Sequence, residues 1–226
     1  MKLVKQYHQI LSRISIDGIE ELQRIEIAGR TCYKSEERIT PDGESAKRFV
    51  KMIIDNGHEA MLEHSSLSVR FICSRGVSHE IVRHRLFSFA QESTRYCNYS
   101  KGKFGGECTF IVPPDKDWSV NVEDYEAAGD CNNPDDIYSQ WIWYWSLYVC
   151  EGEYMNLLKT GWSPQEARDV LPNALKTEIV VTGNYREWRH FFKLRCDEKA
   201  HPHMRALAKD LLEDVKYRIP VVFDDL

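Results

Sequence analysis

Ser65-Ser66-Leu67-Ser68-Val69-Arg70-Phe71-Ile72-Cys73 sets Leu67, Val69 and Phe71 on one side of an extended chain and Ser68 and Arg70 on the other. Successive side chains alternate across a strand, so this spacing predicts a half-buried strand over 65–73. Helical signals flank it on both sides. Upstream, Thr40-Pro41 opens a helix with Ala46, Phe49, Val50 and Ile53 at helical spacing and Asn56-Gly57 as its stop. Before that, Asp17-Gly18-Ile19-Glu20 has the form of a capping box, predicting a helix from Gly18 towards Arg30. The first segment, Leu3 to Ile16, partly alternates and reads as a strand.

Downstream, a helix is expected from Gly76 to Leu86, followed by a polar stretch through Arg95. The run Lys101 to Glu107, rich in Gly and Lys, is expected to be mobile, and Thr109 to Val112 forms a short strand ended by Pro113-Pro114. Asn133-Pro134-Asp135-Asp136 offers a cap residue, a first-turn proline and acids against the helix dipole. The helix it opens carries Ile137, Trp141, Tyr144, Trp145 and Tyr148 and ends near Gly161. Ser163-Pro164-Gln165-Glu166 is a second capping box, for a short helix stopped near Pro172. A β-like stretch over Glu178–Thr182, a helix over Tyr185–Leu194 and an amphipathic helix over Pro202–Arg218 complete an α+β pattern dominated by helices.

Composition narrows the function classes. The 226 residues, with no linker or repeat, predict a single domain over 1–226. A net charge of −5 argues against a chain built to coat nucleic acid or an anionic membrane. The most apolar run, Trp141 to Cys150, is about half the ~20 residues a membrane span needs. Met1-Lys2-Leu3-Val4-Lys5 lacks the apolar core of a secretory leader. The cysteines are odd in number and scattered, with no Cys-x-x-Cys pair, which suits reduced thiols and a cytoplasmic location.

The chemistry concentrates in Arg83-His84-Arg85-Leu86-Phe87-Ser88-Phe89-Ala90-Gln91-Glu92-Ser93-Thr94-Arg95-Tyr96. Successive helix residues point about 100° apart, so Arg83, His84 and Arg85 cannot all face one ligand from a regular helix. Either the helix ends there or the three serve different ligands. Guanidinium groups match phosphate oxygens with paired donors, which points to a phosphate-rich ligand. A solvated basic helix face is the plain alternative for Arg-His-Arg alone.

Arg-His-Arg followed after seven residues by Ser resembles the signature of the flavin-dependent thymidylate synthase family, matched in full by Arg83, His84, Arg85 and Ser93. Three further blocks resemble the same family in the same order: Gly57 to His64, Glu166 to Pro172, and Asn184 to Arg195. The resemblance extends from about Arg30 to Arg195. It implies an α+β single domain with an antiparallel sheet packed by helices, and a flavin-binding fold that is not of the Rossmann type. Gly102-x-x-Gly105-Gly106 is accordingly no dinucleotide fingerprint.

The resemblance further implies methylation of dUMP to dTMP by a homotetramer with active sites shared between subunits. FAD, NADPH and 5,10-methylenetetrahydrofolate are the implied cofactor and co-substrates. Flavin contacts carry over to His58, Ala60, Arg83, His84, Arg85, Gln91, Asn184, Tyr185, Arg186 and His190. Nucleotide contacts carry over to Glu80, Ile81, Val82 and Arg83 of one chain and Gln91, Glu92, Ser93, Thr94 and Arg95 of another. Arg168 and Arg195 fall on the pyrimidine side, and Arg195 is the expected catalytic group because its fixed charge can stabilise an anion developing at N3 and O4. No base is identifiable beside Ser93, so its hydroxyl is read as a phosphate donor rather than a nucleophile. The Trp141 and Trp145 helix is a candidate for burial in the assembly, with a core role as the alternative.

Three positions depart from the family pattern: Ala60 for a hydroxyl residue, Glu80 for Gln, and Cys32 for Ser. Competing readings are a metal-dependent hydrolase using His58, His64, His201 and His203, a nucleic-acid-binding module, and a thiol-dependent synthase using Cys97 or Cys196. No metal is expected, because His58-Glu59-x-x-Leu62 lacks the second histidine and His201-Pro202-His203 lacks a carboxylate partner.

Overall fold

A computed structural model describes residues 1–116, 118 and 136–226. The expected helix opening at Asn133-Pro134-Asp135, and Cys131, lie outside the described residues. The strands are β1 (Lys2–Val4), β2 (Tyr7–Ile10), β3 (Ser66–Ser74), β4 (Ser88–Gln91), β5 (Thr109–Ile111) and β6 (Lys176–Asn184). Helices α1 (Ile19–Tyr33), α2 (Glu44–Asp55) and α3 (Arg75–Ile81) lie in the first half. The second half holds α4 (Asp136–Lys159), α5 (Pro164–Ala167), α6 (Tyr185–Arg195), α7 (Pro202–Arg218) and α8 (Pro220–Phe223).

The main sheet has the order β2-β3-β6-β4, and a second ladder pairs β1 with β5 in parallel. Between β3 and β6, the Tyr185 amide donates to the Ser65 carbonyl and the Arg75 amide to the Leu175 carbonyl, an antiparallel register. In β6 buried and half-buried residues alternate from end to end, as one face packed and one face partly open requires.

The chain falls into two compact units, one of residues 1–6, 72–79 and 91–178, the other of residues 7–71, 80–90 and 179–226. In the first, Tyr99, Cys108, Phe110, Leu147, Tyr154 and Leu175 form the core. Its helix α4 leaves Ile142, Trp145, Tyr148 and Val149 about half exposed, and the rings of Tyr138, Trp141, Trp145 and Tyr148 stack nearly parallel along it. In the second, Trp188, Phe191 and Phe192 of α6 pack with Phe71, Phe87 and Phe223. Gly183 admits this packing: a Cβ there would lie 2.1 Å from Phe87 Cδ1. Gly183→Ala is therefore expected to destabilise by about 1–3 kcal/mol, since a filled core accepts an added methyl only by moving a ring. Urea unfolding measures this, and an unchanged midpoint would contradict the packing.

Several sequence expectations change. The first segment divides into β1 and β2 in different sheets. Helix α1 starts at Ile19, but Asp17 does not cap it; Asp17 and Gly18 have φ of 53° and 66°. Ser15 takes the role instead, its Oγ accepting from the Glu20 amide at 2.9 Å and donating to Glu21 Oε2. Pro41 stands in a turn before α2, where Thr40 Oγ1 accepts from the Ser45 amide. Strand β4 occupies what reads as a polar stretch, and α8 follows α7 unannounced. At Ser163 the capping box forms as expected.

Candidate functional site

Helix α3 stops at Ile81, five residues short of the expected Leu86. The chain then turns twice, with the His84 amide donating to the Ile81 carbonyl and the Phe87 amide to the His84 carbonyl. The cause is Phe87, which is buried against Trp188 with ring centroids 4.6 Å apart. Arg83, Arg85 and Val82 are consequently exposed, while His84 turns inward and is 5% exposed and Ile81 is buried. Of the two possibilities open at Arg83–Arg85, the helix does end, and His84 separates from its neighbours.

His84 meets the last residue of α6. Arg195 Nε donates to His84 Nε2 at 2.9 Å, Nη1 to Glu80 Oε2 at 2.6 Å and Nη2 to the Glu80 carbonyl at 2.8 Å. Burial, with the Arg195 and His190 charges nearby, lowers the His84 pKa to about 4. The imidazole is neutral at physiological pH, so Nε2 accepts from Arg195 and the proton sits on Nδ1, 3.5 Å from Glu187 Oε1. Burial raises the Glu187 pKa. Arg195 is thus held at all three nitrogens, with its charge partly balanced by Glu80.

Asn184 caps α6, its Oδ1 accepting from the Glu187 amide at 2.9 Å. Tyr185 is fully buried beside Phe223, which gives its ring to the fold. Arg186 is exposed and pairs with Glu63 at 2.7 Å, and His190 is exposed 5.9 Å from the His84 ring. His84, Glu187 and His190 offer ligand atoms within 4.8 Å of one another. The guanidinium of Arg195 against His84 sets a fixed positive charge beside any cation there. Among the described residues, His58, His64, His201 and His203 join no three-ligand cluster.

His58 and Ala60 line a cavity of about 1040 Å³ together with Cys32. Its wall also carries Arg30, Arg38 and Arg48, of which Arg38 and Arg48 belong to no sequence block that marks them.

In the other unit, Gln91 Nε2 donates to Ser78 Oγ at 2.9 Å and to Thr177 Oγ1 at 3.2 Å. Glu92 accepts from Lys176 Nζ at 3.0 Å and from the Tyr99 hydroxyl at 3.2 Å. Thr94 is buried and accepts from Arg168 Nη1 at 3.1 Å, joining two blocks 74 residues apart. Arg95 is exposed, its guanidinium 5.5 Å from the Tyr96 ring centre. Ser93 Oγ accepts from the Arg95 amide at 3.3 Å, and no side-chain base among the described residues hydrogen-bonds to it. Sequence reasoning missed Ser78, Thr177 and Lys176. Burial works against the Lys176 charge, but hydrogen bonds to Glu178 and Glu92 prevail and raise its pKa. Among the described residues Cys97 and Cys196 form no disulfide, and burial raises the Cys196 pKa, the opposite of an activated nucleophile.

Residues 16–221 match the family described as thymidylate synthase complementing protein. The flavin-dependent thymidylate synthase of Corynebacterium efficiens is 37% identical over 213 residues, covering 92% of this chain and 80% of that one. The enzyme of the same description from Mycobacterium avium is 36% identical over 207 residues, covering 89% and 78%. In fold, the crystal structure of a UMP/dUMP methylase, PolB from Streptomyces cacaoi, bound with 5-Br dUMP, aligns with a TM-score of 0.74 at 21% identity. That alignment covers 99% of this chain and 96% of that one. The family match takes in Arg168, the capped helix that ends on Arg195 and the whole Arg83–Ser93 signature, so the chain belongs to the thymidylate synthase complementing protein family, that of the flavin-dependent thymidylate synthases.

Proposed function

We propose that this chain methylates dUMP to dTMP, with 5,10-methylenetetrahydrofolate as carbon donor and NADPH as reductant through FAD. The observation that carries the reading is Arg195, a half-buried guanidinium fixed at three nitrogens by Glu80 and His84. Uracil C5 is a poor nucleophile towards the one-carbon unit, and it becomes a better one when negative charge on the ring at N3 and O4 is stabilised. A fixed cation in a partly dry setting stabilises that charge without reorganising. Arg168, which donates to Thr94, is the second arginine that the resemblance puts on the pyrimidine side.

The residues present fit a flavin dinucleotide. Arg83 and Arg85 are exposed phosphate donors, and the cavity holding His58 and Ala60 has both apolar and cationic lining of sufficient volume. Arg83, Arg85, Gln91, Arg186 and His190 would hold it by side chains, with His58 and Ala60 shaping the wall. When bound, FAD supplies the hydride that completes the methyl group.

In the proposed homotetramer, Glu80–Arg83 of one subunit and Gln91–Arg95 of another hold the same nucleotide. The exposed aromatic face of α4 supplies the apolar area an obligate interface uses. The cytoplasm is the proposed location. No helix of the described residues is long and apolar enough to cross a membrane.

The test is the absorption spectrum of the purified protein, followed by dUMP-dependent NADPH oxidation with dTMP as product. A folded protein that stays colourless with added FAD overturns the reading. Ser93→Ala is expected to raise the KM for dUMP about tenfold, one hydrogen bond to an anion, with turnover at saturation preserved. Lost turnover with intact binding would make Ser93 a reacting group.

A further inference from the structure

Glu92 begins a turn whose backbone closes on itself: the Ser93 carbonyl accepts from the Tyr96 and Cys97 amides at 3.2 and 2.9 Å, and the Glu92 amide donates to the Glu178 carbonyl at 2.8 Å. Three side chains from elsewhere in the same compact unit pin that turn. Lys176 Nζ donates to Glu92 Oε2 at 3.0 Å and to Glu178 Oε1 at 2.6 Å. Tyr99 donates to Glu92 Oε1 at 3.2 Å, and Arg168 donates to Thr94. Each oxygen of the Glu92 carboxylate therefore has its own donor, on a side chain only 12% exposed. Tyr99 is buried, with the Phe104 and Tyr154 ring centroids 5.1 and 5.9 Å from its own. Burial and the Glu92 charge raise its pKa, which keeps the phenol a donor. Glu92 and Thr94 are thus engaged with the protein. Arg95 is exposed, and Ser93 Oγ, which accepts from the Arg95 amide, has no acceptor for its proton among the described residues.

We propose that Lys176 and Tyr99 are positioning residues for the nucleotide phosphate, and that Glu92 serves the site through them rather than by touching the ligand. This rests on the proposed binding of dUMP by residues 91–95. An unpaired carboxylate next to Ser93 would repel a phosphate, and the Lys176 ammonium balances it. A largely buried, hydrogen-bonded ion pair holds one geometry, because breaking it strands a charge away from water. The Ser93 hydroxyl and the Arg95 guanidinium are therefore in place before the phosphate arrives, so little ordering is left to oppose binding. Glu92 and Lys176 lie 84 residues apart, which is why spacing along the chain does not reveal the pair.

The test compares steady-state kinetics of Lys176→Met, Lys176→Arg, Tyr99→Phe and Glu92→Gln/Lys176→Met, with circular dichroism and bound flavin as controls. Lys176→Met should raise the KM for dUMP about tenfold and lower turnover at saturation no more than about twofold, the mark of lost binding rather than lost chemistry. Lys176→Arg should restore the KM to within about threefold of wild type, and Tyr99→Phe should raise it about threefold, one neutral donor to a carboxylate. The double variant should bind dUMP better than Lys176→Met alone, because Gln leaves no stranded charge; it also reads the proposal should the single variant fail to fold. Deoxyuridine, which lacks the phosphate, should inhibit wild type and variants alike.

An active wild type whose Lys176→Met form keeps its KM overturns this inference alone. A double variant weaker than Lys176→Met would make Glu92 a direct ligand, and equal losses for dUMP and deoxyuridine would reduce the clamp to general support of the fold. A wild type that neither binds nor methylates dUMP instead sinks the proposed function, and the clamp's role with it.

Discussion

Arg195→Ala is expected to lower turnover about a hundred- to thousandfold at saturating dUMP, the usual loss when one donor to a developing anion is removed. The geometry makes the effect specific to this guanidinium. Its three nitrogens are fixed by His84 Nε2, Glu80 Oε2 and the Glu80 carbonyl, so no search for position precedes the reaction. Arg195→Lys should recover little, since a single ammonium on a flexible stem cannot meet three acceptors in a plane. Glu80→Gln keeps an acceptor for Nη1 but removes the balancing charge, so turnover should rise a few-fold as the arginine acts on the ring with its full charge. Rates of dTMP formation, normalised to bound flavin, read all three. An Arg195→Ala enzyme within tenfold of wild type would remove Arg195 from the chemistry.

The same network carries a pH dependence. His84 has a folded pKa of about 4, below its ordinary 6.5, so between these values the unfolded chain binds a proton that the folded chain refuses. Its contribution to stability is whole above about pH 6.5 and declines as pH falls towards about 4. His84→Gln should flatten that part of the stability profile.

Arg189→Met is expected to lower unfolding stability by about 2–4 kcal/mol while leaving flavin chemistry to the molecules that stay folded. Arg189 is 1% exposed within the aromatic core of its unit. Nη1 and Nη2 bind the two oxygens of Asp225 at 2.6 and 2.7 Å, Nη1 also reaches the Val222 carbonyl, and Nε lies 3.3 Å from Glu59. Methionine fills much of the volume but leaves the Val222 carbonyl without this donor. Asp225 is about half exposed, so solvent screens its share and the loss stays below the upper range for a broken buried pair. The Arg189 hydrogen bond holds the Asp225 carboxyl below its ordinary pKa. This part of the stability is present above about pH 4 and is lost as pH falls through the lowered value. Urea unfolding at pH 7 and pH 3 measures it, and a variant as stable as wild type at pH 7 would show the pairing to be neutral.

Local signals read well where one segment suffices. The Ser163–Glu166 capping box, the alternating 65–73 strand and the helices ending on Arg195 and Arg218 all stand where residue spacing puts them. The arginine signature was legible because its residue types are chemically unusual in a row. The cavity arginines were not, since Arg38 and Arg48 lie ten residues apart in ordinary surface composition and converge only when the turn after α1 and helix α2 come together.

What the amino-acid sequence determined alone was the family, the α+β class and the identity of the charged groups, because these follow from residue type and short-range spacing. Tertiary structure decided where those groups point. The burial of Phe87 against Trp188, 101 residues away, ends α3 early and turns His84 from its arginine neighbours towards Arg195. A contact so distant along the chain leaves no local periodicity to read, and its free energy outweighs the propensity of the residues it interrupts.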